Sequence, residues 1–156
     1  LNEYLQFTSS SYAEKDEMFN LSELIENIII KYDNKNIVQE LIPRIYISGR
    51  KNLISRSLNN IIDNSFKYAK QIEIKLSKKN TNIFIIIDDD GPGIPKSEYE
   101  NVFKPFYKID KSRAESKSSV GLGLSIASDI IRSHGGYIML EKSKMNGLRV
   151  KIFLPV

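Results

Sequence analysis

Residues 71–95 read QIEIKLSKKNTNIFIIIDDDGPGIP. Two β-rich runs, about 71–77 and 82–88, are joined by the turn-rich K-K-N-T-N and read as a pair of strands. The second run is almost continuous isoleucine, which marks a buried strand. It ends in Asp88-Asp89-Asp90 and then Gly91-Pro92-Gly93. Glycine lets a ligand approach the backbone closely, and an Asp at the end of a buried strand stands where a pocket opens. The same residues also suit a plain tight turn, so alone they leave both readings open.

Upstream of this stretch, the periodicity predicts a helix over about 49–68. Ile54, Leu58, Ile61, Ile62, Ser65 and Ala69 share one side, its core face. Asn60, Asn64, Lys67 and Tyr68 share the other at i, i+4, i+7 and i+8. Asparagine is a poor helix-interior residue because its side chain competes for the backbone. Two of them one turn apart, then a cation and an aromatic, can ligate a metal, touch phosphate and stack on a base. A solvated polar face in an Asn-rich chain is the plain alternative. Before this helix, N-L-S-E at Asn20 is a capping-box pattern opening a helix to about Tyr32. The apolar stretches 36–41 and 44–48, flanking Pro43, read as a hairpin.

Downstream, the polar stretch 107–119 has the composition of a loop. Val120-Gly121-Leu122-Gly123-Leu124 then opens a helix that stops at Gly135-Gly136. Glycines at a helix N-terminus leave N–H groups free for phosphate, although they serve equally for close helix packing. Strands at 137–141 and 147–154 finish the pattern. Helices interleaved with mainly hairpin-connected strands predict an α+β two-layer sandwich. Its sheet should be mixed and mostly antiparallel, with three helices on one face. Residues 1–17 read as the end of a helix and a linker, and 18–156 as one domain. Starting at Leu1, already in helical spacing, the chain reads as a piece of something longer.

Composition removes several chemistries. Of 156 residues none is cysteine and one, His134, is histidine, which excludes thiolate catalysis and disulfides and argues against multi-histidine metal sites. The charge balance, 23 − 19 = +4, suits an anionic ligand as well as nucleic acid. Aromatics do not interleave with the basic residues as a nucleic-acid stacking platform requires. No run approaches the roughly 20 apolar residues of a membrane span.

The order N-N-I-I-D-N-S-F-K-Y, D-D-D-G-P-G-I, V-F-K-P-F-Y-K, polar loop, V-G-L-G-L is more specific than any of its parts. It resembles the ATP-binding domain of sensor histidine kinases, of the Bergerat-fold superfamily, and is most similar to the osmosensor-type kinases. The resemblance covers about residues 18–156. It implies that Asn64 ligates Mg²⁺ with Asn60 alongside, that Lys67 touches phosphate and that Tyr68 covers the adenine. Asp90 would accept from the adenine amino group, with Gly91, Gly93 and Ile94 shaping the pocket. Phe103 and Phe106 would anchor the base of the ATP lid. Gly121, Leu122 and Gly123 would offer N–H groups to the phosphates, flanked by Val120 and Leu124. Two departures stand out: Ser119 where the family usually has another glycine, and Lys108 where it often has Arg, a point charge in place of a bidentate fork. Arg113 remains a candidate for the γ-phosphate.

By the same resemblance the activity is transfer of the γ-phosphoryl of Mg·ATP to a histidine on a dimerisation domain, for relay to a response regulator receiver domain. The catalytic set would be Asn60, Asn64, Lys67 and Arg113. Gyrase-type and chaperone ATPases carry a glutamate one turn before the Mg²⁺-binding asparagine, as general base for water. Asn60 stands there, and an amide takes no proton at neutral pH. His134, in R-S-H-G-G at a helix end, reads as structural, with that helix end favouring its protonated form. The resemblance further implies a cytoplasmic domain of a homodimeric membrane protein, itself monomeric as this fragment and without nucleic-acid partners. A nucleotide-sensing module with decayed catalysis and a superfamily ATPase are the alternatives.

Overall fold

The computed structural model describes residues 14–33, 35–107 and 123–156. In chain order they form β1 (Glu17–Asn20), α1 (Leu21–Ile30), β2 (Asn36–Leu41), β3 (Tyr46–Gly49), α2 (Lys51–Phe66), β4 (Gln71–Lys79) and β5 (Asn82–Asp89). Two 3₁₀ turns, Lys96–Glu98 and Asn101–Phe103, precede α3 (Gly123–Ser133), β6 (Tyr137–Lys142) and β7 (Leu148–Pro155). The main sheet has the order β2-β4-β5-β7-β6, with β2 parallel to β4 and the other pairs antiparallel.

Strand parity sets the layers. Directly paired residues share a face, so Ile74 with Ile87 and Ile85 with Ile152 line one side of the sheet. Ile72, Leu76, Ile83, Val150 and Leu154 join them, all buried. Against this face pack the apolar stripes of α1 (Leu24, Ile25, Ile28), α2 (Ile54, Leu58, Ile61, Ile62) and α3 (Ile126, Ile130, Ile131), as one core. The opposite face carries Phe84, Phe153 and Tyr137, with ring centroids 5.8 and 4.9 Å apart, and stays open enough that Tyr137 and Met139 are exposed. This is the α+β two-layer sandwich the pattern predicts.

Local signals placed most boundaries. Asn20 caps α1, its Oδ1 accepting the Glu23 N–H at 3.2 Å. The expected hairpin of 36–41 with 44–48 does not form. Instead β2 runs parallel to β4, and β3 pairs antiparallel with β1 as a separate two-stranded ribbon. Pro43 lacks an N–H, and Arg44 adopts a φ of 59°, so the chain turns out of the sheet there. Strand β1 crosses the expected boundary at residues 17 and 18. The expected helix end at 1–12 lies outside the described residues.

Helices α2 and α3 lie antiparallel, which positions the site. Arg50, just before α2, donates to the Ser133 carbonyl at 3.1 Å, at the end of α3. Midway, the Ser57 hydroxyl donates to the Ala127 carbonyl at 3.1 Å. At the far end the Asn60 amide approaches the Gly123 carbonyl at 3.4 Å, where α3 begins. Among the described residues no helix is long and apolar enough to cross a membrane.

Candidate functional site

Three consecutive aspartates leave β5 in three directions. Asp88 is buried on the open side of the sheet and held bidentately by Arg149, at 2.8 and 3.1 Å. Asp90 is exposed, and its Oδ1 already accepts the N–H groups of Lys70 and Gln71 at 2.8 and 3.0 Å. These backbone donors hold its carboxyl below the usual range. Asp89 is buried on the helix side, 5% exposed, as the continuation of the buried positions 83, 85 and 87. Its Oδ1 accepts the N–H groups of Gly91 and Leu148, each at 3.0 Å, while Oδ2 takes no hydrogen bond from the described residues. Burial pushes the Asp89 carboxyl up, against those two hydrogen bonds. A buried carboxylate with one oxygen unbonded by the described residues is the better acceptor for a ligand's N–H; Asp90 is a backbone clip. The sequence reading chose Asp90, which the structure leaves exposed, while its neighbour Asp89 is the buried one. The missed signal was parity, since Asp89 and not Asp90 falls in step with the buried isoleucines.

Around Asp89 the backbone draws in closely. Gly147 donates to the Asp89 carbonyl at 3.1 Å, and a Cβ built there would collide with the Asp89 carboxylate and carbonyl. Gly93 has a φ of 70°, and a Cβ there would stand 3.3 Å from the Gly147 carbonyl. A Cβ on Gly91 would meet the Tyr68 carbonyl at 3.4 Å, joining this turn to the end of α2. The turn 143–147 thus closes on the same aspartate.

Helix α2 ends just before Tyr68, where the Gly91 turn meets the chain. Its core face buries Leu53, Ile54, Ser57, Leu58, Ile61, Ile62 and Ser65, which leaves Asn60 and Asn64 half-buried one turn apart. Lys67 is half-buried just past the helix, and Tyr68 is exposed. Asp63 points elsewhere, accepting the Tyr32 hydroxyl at 2.6 Å. Ile94 and Phe103 pack on the core, whereas Phe106 is exposed with a φ of 66°. Gly123 begins α3 and Leu124 is buried behind it. Lys108, Arg113, Ser119, Val120, Gly121 and Leu122 lie outside the described residues.

The donor set fits magnesium only in company. No group of three or more His, Asp or Glu side chains is placed to hold a metal among the described residues. Asn60 and Asn64 offer two amide oxygens, and Mg²⁺ is commonly held by few protein groups plus phosphate oxygens and water.

His134 has no place in this site. Its Nδ1 lies 2.8 Å from the Ile130 carbonyl and so carries the proton, leaving Nε2 to accept the Arg50 N–H at 3.0 Å. Burial holds its pKa below the ordinary imidazole value, so the expected preference for the protonated form is overturned. Desolvation, with the Arg50 charge nearby, outweighs the Ile130 carbonyl acceptor that the helix end supplies.

Comparison with known proteins gives the same frame. The chain is 37% identical over 109 residues to the sensor histidine kinase CpxA of Escherichia coli strain K12, covering 69% of this chain and 24% of that protein. It is 30% identical over 171 residues to the sensor histidine kinase WalK of Bacillus subtilis strain 168, covering 99% of this chain and 28% of that one. The chain therefore spans about a quarter of the length of these curated relatives. The catalytic domain of histidine kinase ThkA, in a nucleotide-free form, superposes with a TM-score of 0.80 at 26% identity, over 90% of this chain and 95% of that one. Residues 49–156 match the family model described as histidine kinase-, DNA gyrase B- and HSP90-like ATPase, and the chain belongs to that family.

Proposed function

We propose that this chain is the catalytic module of a sensor kinase. It binds Mg·ATP and presents the γ-phosphoryl to a histidine on a helical dimerisation domain, which passes it to a response regulator receiver domain. The observation that carries the reading is the buried Asp89, with one oxygen fixed by two N–H groups and the other taking none from the described residues, beside a glycine-lined turn that meets the chain at Tyr68, just past α2. Such an acceptor suits adenine's amino group and repels guanine's carbonyl. A charged hydrogen bond of roughly 1.5–3 kcal/mol gives about a 10- to 100-fold preference. Asn60 and Asn64 would hold the magnesium ion, which when bound neutralises phosphate charge; Lys67 would touch phosphate and Tyr68 would cover the base. Arg113, Lys108 and the 121–123 backbone are proposed for the phosphates on the resemblance alone.

Transfer is a better reading than hydrolysis. Phosphoryl transfer needs alignment and charge neutralisation more than covalent help. The position a turn before Asn64 holds an amide, and the carboxylate beside Asn64 in sequence, Asp63, accepts the Tyr32 hydroxyl away from this face. No general base for water stands on this face of α2, so the nucleophile must arrive already competent, as a neutral imidazole does.

Calorimetric titration with a non-hydrolysable ATP analogue, with and without Mg²⁺, against the matched GTP analogue tests the binding. Adenine-selective, Mg²⁺-enhanced binding is expected. No heat at millimolar nucleotide overturns it. Adding the parent's dimerisation domain with γ-labelled ATP should put acid-labile label on that domain, whereas steady phosphate release without it would favour an ATPase.

A further inference from the structure

Glu14 lies ahead of every described helix and strand, yet its carboxylate accepts the N–H groups of Asn52 at 2.8 Å and Leu53 at 3.1 Å. The first N–H groups of a helix have no partner within it, and a carboxylate there also suits the helix dipole. Helix α2 has no cap of its own, for Arg50 at the N-cap position makes no side-chain capping bond. A residue 38 positions upstream supplies the missing acceptor.

The neighbouring residues make this a fastening. Asp16 pairs with Arg50 at 3.7 Å, and the same guanidinium donates to the Ser133 hydroxyl at 2.7 Å. His134 accepts the Arg50 N–H, and β1 then pairs with β3, which leads directly into α2. Residues 14–20 are thereby fixed where α2 begins and α3 ends. The other end of this helix pair is the candidate site, where Asn60 approaches Gly123. From Leu53 to Asn60 is about 10 Å along the axis at 1.5 Å per residue. Close-packed helices transmit such a displacement instead of absorbing it.

We infer that Glu14 is a positioning residue for the nucleotide site, seating the α2–α3 pair on the segment that enters the fold. Displacing that segment uncaps α2, takes Asp16 from Arg50 and shifts the helix face bearing Asn60 and Asn64. This rests on the nucleotide reading given above.

The test uses the full chain, ¹⁵N-labelled, as wild type, Glu14→Ala and Glu14→Gln, with Ile152→Val as a core variant of lowered stability. The Asn60 side-chain NH₂ resonance and the affinity for the Mg²⁺-bound ATP analogue are measured well below every melting temperature. Glu14→Ala should move the Asn60 resonance and weaken binding about five-fold, the low end of coupling between distant sites. Glu14→Gln, which keeps an acceptor but no charge, should fall between, and Ile152→Val should match wild type. A Glu14→Ala chain that melts earlier but keeps the Asn60 resonance and affinity makes Glu14 a cap only and overturns the inference. If the wild type fails to bind the analogue, the nucleotide reading falls, and an unmoved Asn60 resonance would remove the seating of α2 as well.

Discussion

A carboxylate that selects a ligand must be shielded from water and still keep an acceptor lone pair free. Among the described residues Asp89 meets both conditions, whereas Asp90 is exposed and fails the first. We therefore expect Asp89→Asn to lower affinity for the ATP analogue about 10- to 100-fold and to blunt its preference over the GTP analogue. Asp90→Asn should leave affinity within about two-fold and cost about 1 kcal/mol of stability, through the clipped Lys70 and Gln71 N–H groups. Calorimetry and denaturant melts on both variants check this, and a loss of selectivity confined to the Asp90 variant would reverse the assignment. Gly147→Ala should be worse for the fold than either. Its new Cβ meets backbone of Asp89 and Gly91, which cannot rotate away, so overpacking should cost about 1–3 kcal/mol in a urea melt. The sequence makes the aspartate triplet visible but separates its members only through strand parity. Gly147 carries no local signal at all, because its neighbour Asp89 is distant in sequence and adjacent only through the pairing of β5 with β7.

Elements whose information is local were legible. The 3.6 periodicity of α2 put its apolar face inward and Asn60 and Asn64 outward, as found. The pairing of β2 with β4 was not, because a parallel partner across an intervening helix leaves no turn signal to read. The joint between α2 and α3 was hidden for the same reason, and it carries a pH dependence. In the unfolded chain His134 titrates near its ordinary pKa of about 6.5, and in the fold burial holds it lower. Below about pH 6.5 the unfolded chain binds the extra proton first, so the contribution of this joint is full above that value and lost as pH falls through the folded pKa. The raised carboxyls of Asp89 and Asp129 act in the opposite sense, which makes the difference between two chains the right measure. Wild type minus His134→Gln, by urea melts from pH 8 to pH 5, should show an advantage that shrinks toward acid. An advantage that instead grows toward acid would mean the imidazole is charged in the fold.

At the scale of the whole molecule, one sheet face is covered by three helices, and the site stands at the ends of α2, α3 and β5. Nothing along the sequence alone places Glu14, Asn60, Asp89 and Gly147 in one fold; the sheet order does. Because the site joins three elements that share a core, nucleotide should stabilise the fold as a unit. With the ligand at 100 times its dissociation constant the gain is about 2.7 kcal/mol. For a chain of this size that corresponds to a rise in melting temperature of about 5–10 °C. The same chain should take no phosphate from γ-labelled ATP, since its single histidine has both ring nitrogens engaged, by Ile130 and by the Arg50 N–H. A thermal melt with and without Mg·ATP, followed by an assay for acid-labile label, checks both halves. A shift without label is the outcome expected of a module whose acceptor lies elsewhere, while label on His134 would require the α2–α3 joint to open and would contradict its structural assignment.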